Sequence, residues 1–226
     1  MAPYIFMEKN GIHLIDLNKT QAKLDEASHA LKNIIKSGRK VMFVATKKQA
    51  KELVAAEAQR VNMPYVTERW LGGMLTNFQT VRKSVKKLQT LDKLAVDGTY
   101  ENLNKKEKLM IEREKLKLDK VLGGITDLVR LPAALVIVDI KREHIAVAEA
   151  HRLNIPTFAI VDTNSDPTQV DFAIPANDDA AKSIALVMQT LTDAIVEGMQ
   201  ERKRDREEEN ETDGAEVNQE TTSETE

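Results

Sequence analysis

The stretch ALVIVDI, residues 134–140, is apolar at every position except Asp139. A helical pattern follows at residues 144–153, and the next apolar run is TFAIV, residues 157–161. A strand that is apolar throughout its length belongs in a sheet with both faces covered. Because a strand–helix–strand order joins parallel neighbours, these three segments predict a parallel sheet with helices on both of its faces.

The same alternation extends along the chain on both sides of this unit. The predicted strands are residues 12–17, 41–45, 65–66, 134–140, 157–161 and 172–174. The predicted helices run from a cap at Asn18 or Thr20 to Lys36, over residues 47–59 and 144–153, and from a cap at Asp178 or Asp179 to Met199. This order predicts a flavodoxin-like α/β domain built from residues 1–75 and 123–200.

A different pattern occupies residues 76–122, between the two halves of this domain. Apolar residues three and four positions apart form one stripe along a helix: Val81, Val85, Leu88, Leu91 and Leu94. Asp97-Gly98 ends that helix, and a second helix begins after a cap at Asn104. Paired glycines at 72–73 and 123–124 bracket the segment. We therefore predict an inserted α-helical coiled-coil hairpin over residues 76–122.

Charge is distributed unevenly along the 226 residues. The formal net charge is −3, yet residues 205–226 hold ten acidic residues and one basic residue, which leaves the rest of the chain at +6. The acidic end has almost no apolar residues and cannot offset its ordering entropy, so we expect a disordered tail at 205–226. The basic body is the part of the chain suited to a nucleic-acid partner.

Composition also excludes several classes of protein. The chain has no cysteine, which rules out disulfides and thiolate metal sites and favours a reducing compartment. No apolar run is long enough to span a membrane, and the N-terminal segment MAPYIFMEKN lacks the apolar core of a signal peptide. We expect a soluble, cytoplasmic protein that has no membrane partner.

The only tryptophan, Trp70, lies in the segment ERWLGGMLTNF, residues 68–78. Thr76 can cap the helix that follows, with Gln79 at the capping-box position. Free backbone N–H groups at a helix start attract anions, and Gly72-Gly73 would let a phosphate backbone approach closely. Two interpretations stay open: Trp70 stacks on a base or sugar, or it packs the inserted hairpin against the sheet.

Basic residues outnumber acidic ones in the hairpin, twelve to seven between Arg82 and Lys120. A mixture of lysine and glutamate is also typical of a solvated helix surface with i,i+4 pairs. Arg82 and Lys83, together with Arg69, would surround the start of the first helix. The better candidates for phosphate contact in the hairpin are Lys86, Lys87, Lys105 and Lys106.

Carboxylates suggest a second kind of site. Asp139 and Asp162 follow predicted strands, at the sheet edge where open α/β sheets bind ligands. Oxygen ligands that would complete a Mg²⁺ or phosphotransfer site are Asn164, Asp166 and Asp178. Against this, TKKQ at 46–49 is neither a P-loop nor a GxGxxG turn, and DTNSDP at 162–167 reads as an Asx-rich turn. The four histidines lack metal-ligand spacing. We predict no catalytic residue, metal or cofactor.

Six segments, in the same order along the chain, carry a resemblance to a known family. They are RWLGGMLTNF (69–78), LGGI (122–125), LPAAL (131–135), EHIA (143–146), IPTFAIVDTNSDP (155–167) and NDDA (177–180). Together they closely resemble the family of the second protein of the bacterial small ribosomal subunit, over roughly residues 2–200. The family usually has a further N-terminal extension before the region that matches residues 2–5, so contacts made through that extension are not expected of this sequence.

The resemblance implies a flavodoxin-like domain that carries a coiled-coil hairpin, and a role without catalysis. It implies binding to 16S rRNA near the junction of head and body, contact with neighbouring small-subunit proteins, and recruitment of ribosomal protein one. Contacts should be mostly to phosphate and sugar. The candidate rRNA-binding residues are Lys47, Lys48, Arg69, Trp70, Gly72, Gly73, Asn77, Arg82, Lys83, Lys86, Lys87, Lys105 and Lys106.

Two hypotheses of different class follow. The first is an rRNA-binding structural component of the ribosome, with no small-molecule substrate. The second is a flavodoxin-like enzyme that acts on a phosphorylated small molecule through Asp139 and Asp162. The absence of a Gly-rich phosphate loop after the strand at 41–45 favours the first.

Overall fold

A parallel sheet lies at the centre of the molecule. The computed structural model describes residues 1–96 and 104–223, with side chains described for 1–94 and 104–208. The strands in this part of the chain are β1 Ile5–Lys9, β2 Ile12–Ile15, β3 Val41–Val44, β4 Tyr65–Val66, β5 Ala134–Val138, β6 Thr157–Val161 and β7 Phe172–Pro175. The last five form one sheet, in the order β4-β3-β5-β6-β7, with every neighbouring pair parallel.

Helices cover this sheet and extend away from it. The α-helices of the described residues are α1 Leu17–Lys36, α2 Lys48–Arg60, α3 Phe78–Val96, α4 Lys105–Leu122, α5 His144–Arg152 and α6 Ala181–Ser223. The strand order matches the flavodoxin-like arrangement, in which the first strand of the sheet along the chain lies between the second and the third. The prediction of an α/β fold with a parallel sheet flanked by helices is confirmed.

The central strands are buried on both faces, as their unbroken apolar sequence predicts. Every residue of β3, β5 and β6 is buried. One core, which includes Phe43 and Phe158, packs under α1, α2 and α6, and the other, which includes Trp70 and Leu135, packs under α5 and the start of α3. Phe158 stacks on Phe172 of the neighbouring strand, with ring centroids 4.4 Å apart. Removing this apolar surface from water is the main stabilising contribution to the fold.

The N-terminal region differs from the sequence prediction. The predicted strand at 12–17 ends at Ile15, and Asp16 rather than Asn18 or Thr20 caps α1, because its carboxylate accepts the Asn18 N–H at 3.1 Å. Strand β1, which was not predicted, pairs antiparallel with β2 in a separate two-stranded sheet. Asn10 and Gly11 connect them with φ values of 54° and 75°, the conformation that an Asn-Gly hairpin turn requires.

Helices α3 and α4 lie between β4 and β5 in the chain and contact each other. Lys87 on α3 pairs with Glu114 on α4, and Lys115 on α4 pairs with Asp92 on α3 at 2.8 Å. The predicted start of the second helix is confirmed, since Asn104 caps α4 through a capping box. The predicted break at Asp97-Gly98 lies outside the described residues. The coiled-coil hairpin therefore stays a prediction.

Helix α6 continues much further than the predicted end at Met199. Its backbone is helical to Ser223, whereas the sequence analysis expected disorder at 205–226. The physical reason for a longer helix is local: Arg, Lys and Glu are good helix formers, and Lys203 pairs with Glu207 one turn later at 3.7 Å. In the described part of the chain, no helix combines the length and apolar character that crossing a membrane requires.

Candidate nucleic-acid interface

The loop before α3 is folded around the carboxylate of Glu149, a residue of α5. Oxygen Oε1 accepts hydrogen bonds from the Trp70 indole Nε1 at 3.1 Å and from the Gly73 N–H at 2.7 Å. Oxygen Oε2 accepts from the N–H groups of Leu75 and Thr76 at 2.9 and 3.0 Å, and from the Thr76 hydroxyl at 3.1 Å. One buried side chain of α5 thereby holds the whole loop in place.

This contact changes the interpretation of the loop as an anion site. The sequence analysis assigned the free N–H groups there to a phosphate, but Glu149 already occupies those of Gly73, Leu75 and Thr76. Burial raises the pKa of Glu149, and the hydrogen bonds to its oxygens outweigh burial, so the pKa lies below its ordinary value of 4.5. The loop therefore carries its own ionised acceptor.

The predicted cap of α3 at Thr76 is wrong. The helix begins at Phe78, and the Asn77 carbonyl accepts the N–H groups of Thr80 and Val81 at 3.0 and 3.3 Å. The Thr76 hydroxyl instead donates to Glu149, because an ionised carboxylate is a stronger acceptor than a neutral backbone group. No sequence signal joins Glu149 to a loop more than seventy residues earlier in the chain.

Trp70 is a packing residue, one of the two interpretations that the sequence left open. Only 6% of its surface is exposed, and its ring lies in the core with Met74, Val81 and Val85. A ring in that position has no free face for a base, so stacking on RNA is the interpretation that the geometry disfavours. The tryptophan joins the start of α3 to the sheet.

The two glycines have different environments. Gly73 has φ +86°, and a Cβ there would lie 3.2 Å from the Cβ of Asn77, so the backbone itself requires glycine. Gly72 is exposed, its φ is not in the left-handed region, and a Cβ there would meet nothing within 4 Å. Gly72 is thus the position where a close approach by a partner remains open.

Three candidate cations line one surface cavity at the start of α3. Arg82, Lys83 and Lys86 border a space of about 490 Å³, whose other wall contains Arg130 and the exposed Val129. These four cationic side chains make no ion pair with any described residue, unlike many basic residues of this chain. Arg130 was not predicted, since nothing in its own segment marks it and only the fold brings it beside α3.

The remaining candidates are scattered over the surface. Lys87 pairs with Glu114, so its charge is already partly neutralised. Exposed candidates outside the cavity are Lys48 in the first turn of α2, Arg69 and Asn77 beside the loop, and Lys105 and Lys106 in the first turn of α4. The structure brings together the candidates of the first turns of α3, but not those of α2 and α4.

Lys47 is already engaged inside the protein. It follows β3, and its Nζ lies 2.7 Å from Asp178, 2.6 Å from Asp179 and 3.6 Å from Asp139. Burial lowers the pKa of Lys47, but the carboxylates outweigh burial and raise it, so the ammonium stays charged. Its side chain is 12% exposed. Its pairing and burial leave it poorly placed to meet an RNA phosphate.

The carboxylates around Lys47 are the ones that suggested a second kind of site. Oxygen atoms of Asp162, Asp178 and Asp179 lie within 4.8 Å of one another, close enough to share a cation. Burial raises the pKa of Asp178 above its ordinary value, although Lys47 alone would lower it. The Lys47 ammonium already supplies positive charge to two of these three carboxylates, and the cluster lies at the carboxyl edge of the sheet.

Comparison with known proteins agrees with this architecture. The sequence model of the family described as ribosomal protein S2 matches residues 1–198. Similar proteins named small ribosomal subunit protein uS2 come from Cytophaga hutchinsonii, 67% identical over 206 residues (91% of this chain and 81% of the relative), and Bacteroides thetaiotaomicron, 65% identical over 206 residues (91% and 74%). A third, from Flavobacterium johnsoniae, is 60% identical over 207 residues (92% and 82%). The chain belongs to the ribosomal protein S2 family.

Proposed function

We propose that this protein is a structural constituent of the small ribosomal subunit that binds 16S rRNA near the junction of head and body. The observation that carries the proposal is the group of four cations, Arg82, Lys83, Lys86 and Arg130, that line one cavity without a counter-ion among the described residues, in a chain of this family. Unpaired cations in one concave surface suit a polyanion, since binding releases the counter-ions that surround its phosphates.

The proposed contact is to the phosphate and sugar of the RNA, with little sequence readout. Trp70 is buried and Glu149 occupies the N–H groups of the loop, so the side chains of α3 supply the contact instead. Arg and Lys are the side chains that most often bind phosphate. The residues proposed to contact rRNA are Arg69, Gly72, Asn77, Arg82, Lys83 and Lys86, with Lys48, Lys87, Lys105 and Lys106 at its margins.

The finer architecture of the inserted segment is part of the proposal. We propose that α3 and α4 form a coiled-coil hairpin that extends the rRNA contact beyond the sheet. The ion pairs Lys87–Glu114 and Asp92–Lys115 support it, because both join the two helices. The buried stripe of Val81, Val85, Leu88 and Leu91 supplies the apolar seam that such a pair needs.

Recruitment of ribosomal protein one belongs to the same proposal and rests on family resemblance. We expect small subunits assembled without this chain to lack ribosomal protein one as well, and subunits assembled with it to retain both. Protein composition of purified subunits measures this directly. Normal amounts of ribosomal protein one in subunits depleted of this chain would contradict the proposed role in recruitment.

The alternative of a flavodoxin-like enzyme has less support. Its candidate acids, Asp139 and Asp162, lie at the carboxyl edge of the sheet, where Lys47 pairs with Asp139 and with the neighbouring acids. The segment after β3 has no Gly-rich loop that would hold a phosphate. The family match favours a structural component, so no reaction is proposed.

Sedimentation tests the proposed function. A tagged chain, expressed in cells and analysed on a sucrose gradient in low salt, should migrate with the small subunit and not with the large one. Brief ribonuclease treatment of the purified particles should release it. A chain that stays at the top of the gradient in otherwise intact lysates would refute the proposal.

A further inference from the structure

The amino-terminal edge of the main sheet carries a basic surface that continues from the start of α3. Residues 38–40 lead into β3 and residues 129–131 approach β5, and the Ala133 N–H donates to the Lys40 carbonyl at 2.8 Å. Because β3 and β5 are parallel neighbours, these two segments lie side by side at one edge of the sheet. They are about ninety residues apart in the chain and meet only in the fold.

Two cavities adjoin along this edge. The cavity beside α3 and a second one of about 300 Å³ share Val129, Arg130 and Leu131 as a common wall. The second cavity is also lined by Arg39 and Lys40. The shared wall makes the two spaces one continuous cleft, which we call the edge cleft: it runs from residues 38–40, past 129–131, to the first turns of α3.

The edge cleft has a strongly positive lining. Arg39, Lys40 and Arg130, like the three cations of α3, make no ion pair with any residue in the described ranges 1–94 and 104–208. Asp127 is the acidic residue that lines the same space. The opposite edge of the sheet carries Asp139, Asp162, Asp178 and Asp179 around Lys47. Opposite charge therefore collects at opposite ends of the strands.

Apolar side chains alternate with these cations. Val129 is 63% exposed although it lies between the two cavities, and Leu131 and Phe78 are half-buried in the same wall. An RNA strand presents charged phosphates separated by less polar sugars and base faces, so a lining of this kind matches it. An acidic protein surface would match the cations but leave Val129 without a defined counterpart.

We propose that the edge cleft binds the sugar-phosphate backbone of one RNA strand, with Arg39, Lys40 and Arg130 on phosphates and Val129 against a sugar or base. The inference rests on the proposed function and extends it, because it adds a surface of the α/β domain to the contact made by α3. The strand would pass along the amino-terminal edge of the sheet, opposite the edge at which enzymes of this fold bind their ligands.

Directed cleavage of rRNA tests this placement. The chain has no cysteine, so Val129→Cys creates a single attachment point for an Fe(II)–EDTA chelate that cuts nearby RNA by hydroxyl radicals. Leu186→Cys is the matched control, since Leu186 is 66% exposed and lies near the start of α6, towards the opposite edge of the sheet. Subunits that contain the labelled chain should be cut at discrete rRNA positions from residue 129, and not at those positions from residue 186.

Failure of this inference can be distinguished from failure of the proposed function. If the labelled chains enter small subunits but residue 129 cuts no rRNA, or crosslinks to a protein instead, the edge cleft is not an RNA site and the proposed function stands. If the unmodified chain never enters small subunits, the proposed function itself fails.

A charge variant gives a second and independent measurement. Arg130→Glu should weaken binding of the chain to depleted small subunits and lower the slope of log affinity against log salt by about 0.7 to 0.9, the value for one bound phosphate. Lys182→Glu, an equal charge change on α6, should leave the slope unchanged. Equal slopes for the two variants would overturn the proposal, including where Val129→Cys fails to incorporate.

Discussion

The two carboxylate oxygens of Glu149 accept five hydrogen bonds from a loop that lies more than seventy residues earlier in the chain. Without this acceptor, the N–H groups of Gly73 and Leu75 would be left without a partner in a largely buried setting. A buried donor that loses its acceptor costs its full desolvation penalty. Glu149 is therefore expected to act as a positioning residue for the start of α3.

Replacing Glu149 tests that role. Glu149→Gln keeps the size of the side chain but removes the charge and turns an NH₂ group towards N–H donors. We expect it to lower the free energy of unfolding by about 1 to 3 kcal/mol, measured by denaturant unfolding. Glu52→Gln, on the exposed face of α2, should change it by less than about 0.5 kcal/mol. Equal stability of the two variants would contradict the role of Glu149.

The pH dependence of stability offers a second test of the same group. Because the pKa of Glu149 is lowered on folding, the stability it contributes is fully present above its ordinary pKa of 4.5 and is lost as pH falls towards the lower folded value. The difference in unfolding free energy between wild type and Glu149→Gln should therefore be constant from pH 7 to about 5 and shrink below 4.5. A difference that grows on acidification would have the wrong sign.

Gly72 and Gly73 should separate two kinds of requirement for glycine. Gly73→Ala forces an L residue to φ +86° and should cost roughly 1 to 2 kcal/mol of folding stability. Gly72→Ala meets open space and should be neutral or slightly stabilising. If RNA lies against Gly72, that variant should fold normally and enter small subunits poorly. Denaturant unfolding and subunit occupancy, measured for both variants, decide between these outcomes.

Single residues were the hardest features to predict from the sequence. The pattern around Trp70 marked the loop as unusual, but its partner Glu149 could not be found without the fold. Thr76 has the sequence of a helix cap, yet a distant carboxylate competes for its hydroxyl. Local patterns predict local hydrogen bonds, and they fail where a tertiary contact provides a stronger acceptor.

At the scale of elements, the sequence was most informative for the central strands. Strands β3, β5 and β6 are unbroken apolar runs, and burial on both faces is the condition that such runs indicate. Strand β1 was missed because its residues are mostly exposed, so no burial pattern marks it. The Asn10-Gly11 turn was the available signal.

A double-mutant cycle tests how α3 and α4 pack. Lys87→Ala, Glu114→Ala and the double variant should show a coupling of about 0.2 to 1 kcal/mol in unfolding free energy, because the pair joins the two helices at the surface. Lys83→Ala combined with Glu114→Ala is the control and should show almost none. Equal coupling in both cycles would mean that the Lys87–Glu114 pair does not form in solution.

On the scale of the whole molecule, charge separates the two edges of the sheet and the two ends of the chain. The sequence predicted the basic body and acidic end, because those are properties of continuous segments. It could not predict the edge cleft, since Arg39, Lys40 and Arg130 come together only when β3 and β5 pair. The cluster of acids around Lys47 likewise depends on the order of strands in the sheet.

Truncation tests where α6 stops contributing to the fold. Deleting residues 205–226 should leave the thermal unfolding midpoint nearly unchanged, as expected of a segment with almost no apolar residues. Deleting residues 200–226 should lower it, because Glu201 pairs with Lys32 and Lys36 of α1, each at 2.6 Å. Equal midpoints for the two truncations, or a large drop for the shorter one, would contradict this boundary.

The most direct test of the central claim is the salt dependence of binding to small subunits depleted of this chain. If the cations beside α3 contact rRNA phosphates, the variant with Arg82→Glu, Lys83→Glu and Lys86→Glu should bind more weakly than wild type at low salt. Its slope of log affinity against log salt should be smaller by about 0.7 to 0.9 for each phosphate that the variant no longer binds. Normal occupancy with an unchanged slope would contradict the claim that this surface binds the RNA.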